Sequence, residues 1–170
     1  RPVSSAASDV YKRQDLAEII SNHTSKNFHM RCTHPFNEIK GPENVANQLW
    51  LPIRDSFKPI QRRLDIFYAG INSLEENPGV WISSMGHLMG VFNKSFFGLQ
   101  PNYKASLLRF AEFYKVEDNK ITEGAIFLDI FNFMQQLGLS FIPESTGLVC
   151  VTPGPMNHKG LKFELSDNGE

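Results

Sequence analysis

Apolar residues along this chain keep a helical spacing at first, alternate through the middle, and return to helical spacing near residue 130. In Asp15–Phe28 the side chains of Leu16, Ile19, Ile20 and His23 fall on one face, which predicts a helix of about three turns. His29–Thr33 reads as a short strand, and HPFNEIKGP after it as a loop. Gly41-Pro42 opens a second helix, with proline suited to the first turn and Glu43 beside the positive end of the helix dipole. Val45, Leu49, Ile53 and Phe57 recur every fourth residue as a stripe to be buried, while Asn47 and Gln48 face water. Trp50 borders that stripe, either packed in the core or at the edge of a cavity. Pro52 lies within the stripe and lacks a backbone donor, so a kink or break is expected there.

Alternation then predicts strands. In Arg63–Gly70 one face carries Arg63, Asp65 and Phe67 and the other Leu64, Ile66 and Tyr68. Val80–Phe92 is a long strand in which Gly86 and Gly90 predict a bend or bulge that curves the sheet. Trp81, Ser83, Met85, His87 and Met89 share one side of it, as a ligand wall or as packed core with one hydrogen-bonded histidine. The loop Asn93–Tyr103 is unusually greasy, with Phe96, Phe97 and Leu99, and reads as a lid or a subunit contact. Lys104–Val116 places Arg109 and Phe113 on one side and Glu112 and Tyr114 on the other. EDNK makes a tight hairpin turn into the strand Ile121–Leu128, which delivers Asp129. That pairing brings Arg109 or Glu112 near Asp129, as a cross-strand ion pair or as part of a site. Ile130, Phe133, Met134 and Leu137 then mark a short helix that Gly138 stops.

Helices followed by hairpin-linked strands make an α+β domain in which one curved antiparallel sheet cups the helices. The 170 residues, 41% hydrophobic and 21% charged, suit one domain with a full core. A formal charge of −1 with scattered Lys and Arg argues against nucleic acid or an anionic membrane as partner and favours neutral or amphipathic small molecules. Phenylalanine, at 14 residues, belongs in a core or a greasy pocket. Cys32 and Cys150 have neither metal-site nor disulfide-framework spacing, so no metal is expected and a cytoplasmic location is the default. No apolar run reaches the length of a membrane span. Residues 1–14 are pattern-free and resemble a translated sequencing-adapter read-through, so they are set aside as non-native, of metagenomic type. Residues 143–170 read as an extended strap or linker with one edge strand at Gly147–Val151.

Asp129 carries two readings. As an N-cap its oxygen accepts from a free backbone N–H of the first helical turn. At the mouth of an apolar pocket, desolvation would make it a general acid or base. The segments HPFNEIKGPENVANQLWLPIRDSF, WISSMGHLMGVF and RFAEFYKVEDNKITEGAIFLDIFNFMQQLG together resemble the SnoaL-like polyketide cyclases of the nuclear transport factor two-like superfamily. The similarity covers Asp15 to Ile142, strongest at Gly86-His87, the D-N-K-I-x-E turn and Asp129–Gly138.

The resemblance implies a cone-shaped, cystatin-like α+β barrel around an apolar cavity, usually dimeric, with no metal or organic cofactor. It also implies that Asp129 acts as general acid/base in an aldol ring closure, with His87 as the available imidazole. The family's E-H-W-x-x-x-D pattern reads EGAIFLD here, with Gly124 and Ala125 in place of His and Trp. Trp50, Trp81, Met85, Arg109, Phe113 and Phe127 complete the expected substrate-binding set. TPGPMNHKGL resembles the linker of tandem-domain relatives and so points to a second domain beyond residue 170. The functions in view are a cofactor-free cyclase or isomerase acting on a hydrophobic carbonyl compound, and a non-catalytic binding or dimerisation module of the same fold.

Overall fold

The computed structural model describes residues 15–74, 79–139 and 143. Segment 1–14 and the expected strap beyond residue 143, with its edge strand, lie outside them. The first helix spans residues 15–23, shorter than expected, because Thr24 turns the chain into strand β1, Thr24–Cys32. The Thr24 hydroxyl donates to the Ile20 carbonyl at 2.8 Å, and the strand then buries Phe28 and Met30 while exposing Lys26, Asn27 and Arg31. Burial on a sheet overrides the weak helical pattern of those residues. A short strand β2, Glu38–Lys40, pairs antiparallel with β1.

The central helix is continuous from Pro42 to Ser56, α-helical over Pro42–Val45 and Leu51–Ser56 with a π-helical turn at Ala46–Trp50 between. The wide turn sits immediately before Pro52, and there the Leu51 N–H donates to the Ala46 carbonyl. Widening relieves the clash of the proline ring with the preceding turn, so at the place where a kink or break is expected the helix swells and continues. Val45, Leu49 and Ile53 are buried as the stripe requires, and Phe57, equally buried, is the first residue of strand β3.

β3 (Phe57–Ile71), β4 (Val80–Phe92), β5 (Ala105–Glu117) and β6 (Lys120–Leu128) form a meander, and the sheet order is β2-β1-β6-β5-β4-β3. The β5–β6 turn uses Asp118 and Asn119, both at positive φ (48° and 60°), as a two-residue hairpin demands. β1 runs parallel to β6, so the sheet is mixed rather than antiparallel throughout. The two strands are joined by the whole intervening chain and not by a hairpin, which leaves their relative direction unconstrained by a turn.

The sheet curls most strongly at β3–β4. The register shifts between Lys58 and Gln61 and again between Leu64 and Ile66, facing the two glycines singled out in the sequence. A Cβ at Gly86 would overlap the Arg63 carbonyl, so the close approach of the bulged strand requires glycine there. The inner face of the curl carries the core: Phe28, Met30, Leu88, Phe92, Leu108, Phe110, Ile126 and Leu128 pack against the central-helix stripe and Phe133. Phe96 of the greasy loop is only 2% exposed and belongs to this core, its ring 6.1 Å from Phe57, whereas Phe97 stays 45% exposed. That loop is therefore anchored, through Phe96, rather than free to act as a lid. Among the described residues no helix is long and apolar enough to cross a membrane.

Candidate active site

Alternation along β4 and β5 decides which side chains enter the curl. Leu88 lies opposite Leu108, Gly86 opposite Phe110 and Ser84 opposite Glu112, and these positions point inward with the buried residues. Trp81, Met85, His87, Arg109 and Phe113 occupy the intervening positions and lie on the outer face, as does Phe127, which pairs with Ala111 and stacks edge-on against Phe113 at 6.3 Å. Of the residues expected in the site, Trp50 alone lines an inner cavity among those built from described residues.

Asp129 is placed at the end of β6, where its Oδ1 accepts from the Asn132 backbone N–H at 3.0 Å and caps the helix Ile130–Gln136. Its other oxygen lies 3.7 Å from Arg109 Nη1, the cross-strand ion pair that the hairpin register makes available. His87 is on a different strand pair: its Nδ1 lies 2.8 Å from Asp65 Oδ2, brought there by the β3 bulge. The structure thus sets Asp129 and His87 in separate contacts, neither of them lining an inner cavity built from described residues. His87 Nε2 and Trp81 Nε1 are buried without a hydrogen-bond partner among the described residues.

The polar group that does enter the curl is Glu112, 1% exposed. Arg62 Nη2 and the Ser84 hydroxyl both donate to its Oε1, and the Tyr114 hydroxyl donates to its Oε2 at 3.0 Å. Arg62 also lies over the Phe110 ring, 4.8 Å from the centroid. Burial pushes the Tyr114 hydroxyl up to about 12, against a smaller opposing pull from Arg62, so it remains a proton-bearing donor at any physiological pH. Burial also draws the Arg62 guanidinium below its ordinary value, with Tyr114 opposing. Sequence alternation puts Glu112 and Tyr114 on the face opposite Arg109 but does not say which face is inside. Arg62 precedes the strand that alternation predicts, and only the longer β3 brings it in.

Two cavities flank this cluster and share Ile20 and Trp50. The larger, about 340 Å³, runs between Leu16 and Ile20 of the first helix, Trp50 and Ile53 of the central helix, and Ile60 and Leu88 of the sheet. Arg54 and Arg62 supply its polar lining. The smaller, about 160 Å³, lies under Ile19 and His23 and is bounded by Tyr114, Met30 and Phe28. The first helix therefore roofs both. Gly124, standing where the resemblance expects histidine, lies under the Tyr114 ring: a Cβ there would sit 3.2 Å from two ring carbons and collide with the Met30 sulfur. The space an imidazole would need is taken by Tyr114 and Met30.

Cys32 is the one thiol among the described residues, and burial pushes it up to about 11, which makes it a poor nucleophile. No group of three or more His, Cys, Asp or Glu among the described residues is placed to hold a metal ion. Chemically, the cluster offers a buried carboxylate held between a cation, Arg62, that lines the larger cavity and a neutral phenol, Tyr114, that lines the smaller.

No protein-family model and no curated protein sequence matches the chain. Its structure is similar to that of AclR of Streptomyces galilaeus, named as a candidate hydroxylase, at 20% identity and a TM-score of 0.57, covering 75% of this chain and 86% of that one. A candidate polyketide cyclase of Acidithiobacillus ferrooxidans superposes at 12% identity and a TM-score of 0.59, over 80% and 91% of the two chains. A SnoaL-like polyketide cyclase of Agrobacterium tumefaciens does so at 15% identity and 0.54, over 79% and 94%. At these identities the likeness is one of fold, and this chain has the fold of the SnoaL-like polyketide cyclases.

Proposed function

We propose that this protein is an acid–base enzyme acting on a hydrophobic, carbonyl-bearing small molecule held in the inner cavity, by cyclisation, isomerisation or related proton transfer. The observation that carries this reading is Glu112, a carboxylate buried on the inner face and bracketed by Arg62, Ser84 and Tyr114. The neighbours of the same fold that are named polyketide cyclases support the reaction class.

In the proposed chemistry Arg62 swings from Glu112 toward the ligand's carbonyl oxygen, which opens Glu112 Oε1 toward the cavity and leaves it one donor, the Ser84 hydroxyl. The carboxylate takes a proton from the carbon beside the carbonyl, the C–H electron pair moves into the enolate, and the new charge on oxygen rests against the guanidinium. Tyr114, hydrogen-bonded to the other carboxylate oxygen, keeps that carboxylate oriented. Glu112 thus takes the role that the sequence resemblance assigned to Asp129, which serves as a helix cap.

The same bonds give weight to one second reading. Glu112 already accepts three hydrogen bonds, so it is also suited to a fixed strut that aims Arg62 in a non-catalytic binding module. Deuterium uptake from D₂O into the methylene beside the ketone of methyl 4-oxo-4-phenylbutanoate separates the two. Catalysed uptake that disappears in Glu112→Gln supports the enzyme. Binding of the ketone with uptake no faster than in buffer leaves the binding module.

A further inference from the structure

Strand β3 ends the sheet on one side, so among the described strands its outer edge has no neighbour. Such an edge offers a row of backbone donors and acceptors to another strand, and proteins commonly blunt it with proline, bulges or charge. Here those devices sit in the first part of the strand: Pro59, the two register shifts before Ile66, and the charges of Lys58, Arg62, Arg63 and Asp65. From Ile66 to Ile71 the strand follows β4 without a further shift and carries neither a charge nor a proline. Its side chains stand in the open, Phe67 at 60%, Tyr68 at 43% and Ile71 at 72% exposure. An uncharged, apolar edge of this kind is a template for a further strand.

The segment is complementary to itself. Its cross-strand partners put Phe67, Ala69 and Ile71 on the inner face, level with Ser84, Ile82 and Val80, and Tyr68 and Gly70 on the outer face, level with Ser83 and Trp81. Beside an antiparallel copy, with Ala69 opposite Ala69, Phe67 meets Ile71 on the inner face and Tyr68 meets Gly70 on the outer face, each pair occurring twice. A Cβ on Gly70 would have nothing within 4 Å, so the space over this glycine is open to the tyrosine ring of the other copy. Asp65 falls level with Ser73, and over this overlap no like charges meet.

We infer that the β3 edge is an interaction surface for a second copy of this chain, the two Ile66–Ile71 segments pairing antiparallel about a two-fold axis at Ala69 and joining two six-stranded sheets into one. A two-fold contact uses the same patch on both copies, which is what the Phe67–Ile71 and Tyr68–Gly70 pairs provide. Phe113 on β5 and Phe127 on β6 lie further into the sheet, so a contact through them is a separate one. None of the pairing residues lines either cavity beneath the first helix.

The test uses the full chain and substitutions at exposed positions of the edge. In Phe67→Lys/Ile71→Lys the lysines of one copy stand opposite those of the other, and the mass in sedimentation at micromolar concentration is expected to fall to half. Phe67→Glu/Ile71→Glu is expected to do the same, and an equimolar mixture of the two variants to regain the original mass, because each lysine then meets a glutamate. Ala69→Cys marks the axis. Directly opposite residues of an antiparallel pair lie about 5 Å apart at Cα, within disulfide reach, so mild oxidation is expected to link the two copies. Phe67→Cys sets its thiols four residues apart along the ladder, about 13 Å, and is expected to give no more linked dimer than the unmodified chain. A monomeric unmodified chain overturns the inference and leaves the edge to a strand other than a second copy. An unchanged mass in the lysine variant also overturns it, as does a Phe67→Cys variant that links as readily as Ala69→Cys.

Discussion

Replacing Glu112 perturbs three hydrogen bonds at once, and the structure sets how much each replacement costs. In Glu112→Leu the hydroxyls of Ser84 and Tyr114 lose their acceptor inside the curl, each at about 1–3 kcal/mol for an unsatisfied buried group. Arg62 loses its counter-charge too, but with 41% of its side chain accessible it turns to water, so the 3–5 kcal/mol of a fully buried broken pair does not apply. Leucine recovers some apolar burial, and the net loss expected is about 3 kcal/mol. Glu112→Gln keeps the shape and one carbonyl oxygen for Arg62 and Ser84, while its amide donates to a Tyr114 hydroxyl that turns to accept. Only the charge-assisted part is lost, about 1 kcal/mol. Urea denaturation of both variants, with Arg62→Met and the Glu112→Gln/Arg62→Met double variant completing a cycle, measures the pair directly. A coupling energy of about 1–2 kcal/mol is expected. Equal losses for leucine and glutamine, or a coupling below about 0.5 kcal/mol, would refute the picture of a carboxylate saturated by these donors.

Asp129→Ala is expected to cost about 1 kcal/mol and Asp129→Asn much less, since a cap needs only the oxygen; deuterium uptake should survive in both, and its loss in Asn would return Asp129 to the chemistry. Gly124→Ala, which drives a methyl into Met30 and the Tyr114 ring, is expected to lower Tm by several degrees, and an unchanged melting curve would show that those side chains yield freely. The Tyr114 hydroxyl, raised from its ordinary 10 to about 12, contributes stability that is complete below pH 10 and lost as pH rises toward 12; Tyr114→Phe should flatten that alkaline limb, and an identical limb in the variant contradicts the assignment. We further propose that the outer sheet face carries a homodimer contact, because Phe127, 55% exposed, stacks against Phe113 there; a clean monomer in sedimentation at micromolar concentration would remove it.

By itself the sequence determined the α+β class and the elements whose signals are local. The four-residue stripe Val45-Leu49-Ile53-Phe57, the alternation in Val80–Phe92 and the D-N turn at Asp118-Asn119 are local patterns, and burial and turn geometry answer to them directly. Asp129 as a cap was legible for the same reason, its partner being three residues away. The site was not. Period-two alternation says that Glu112 and Arg109 face opposite ways but not which of them faces in, and that choice follows from which side of the sheet the helices cover. The β3 bulges are another such decision: they carry Asp65 onto His87, while Arg62 comes inside opposite Leu88, through contacts with residues far along the chain. Strand β1 depended on a parallel neighbour, β6, that no local signal announces, and Gly124 has meaning only once Met30 and Tyr114 occupy the space above it. Local spacing fixes what a segment is; the inside and outside of a curled sheet are properties of the packed whole.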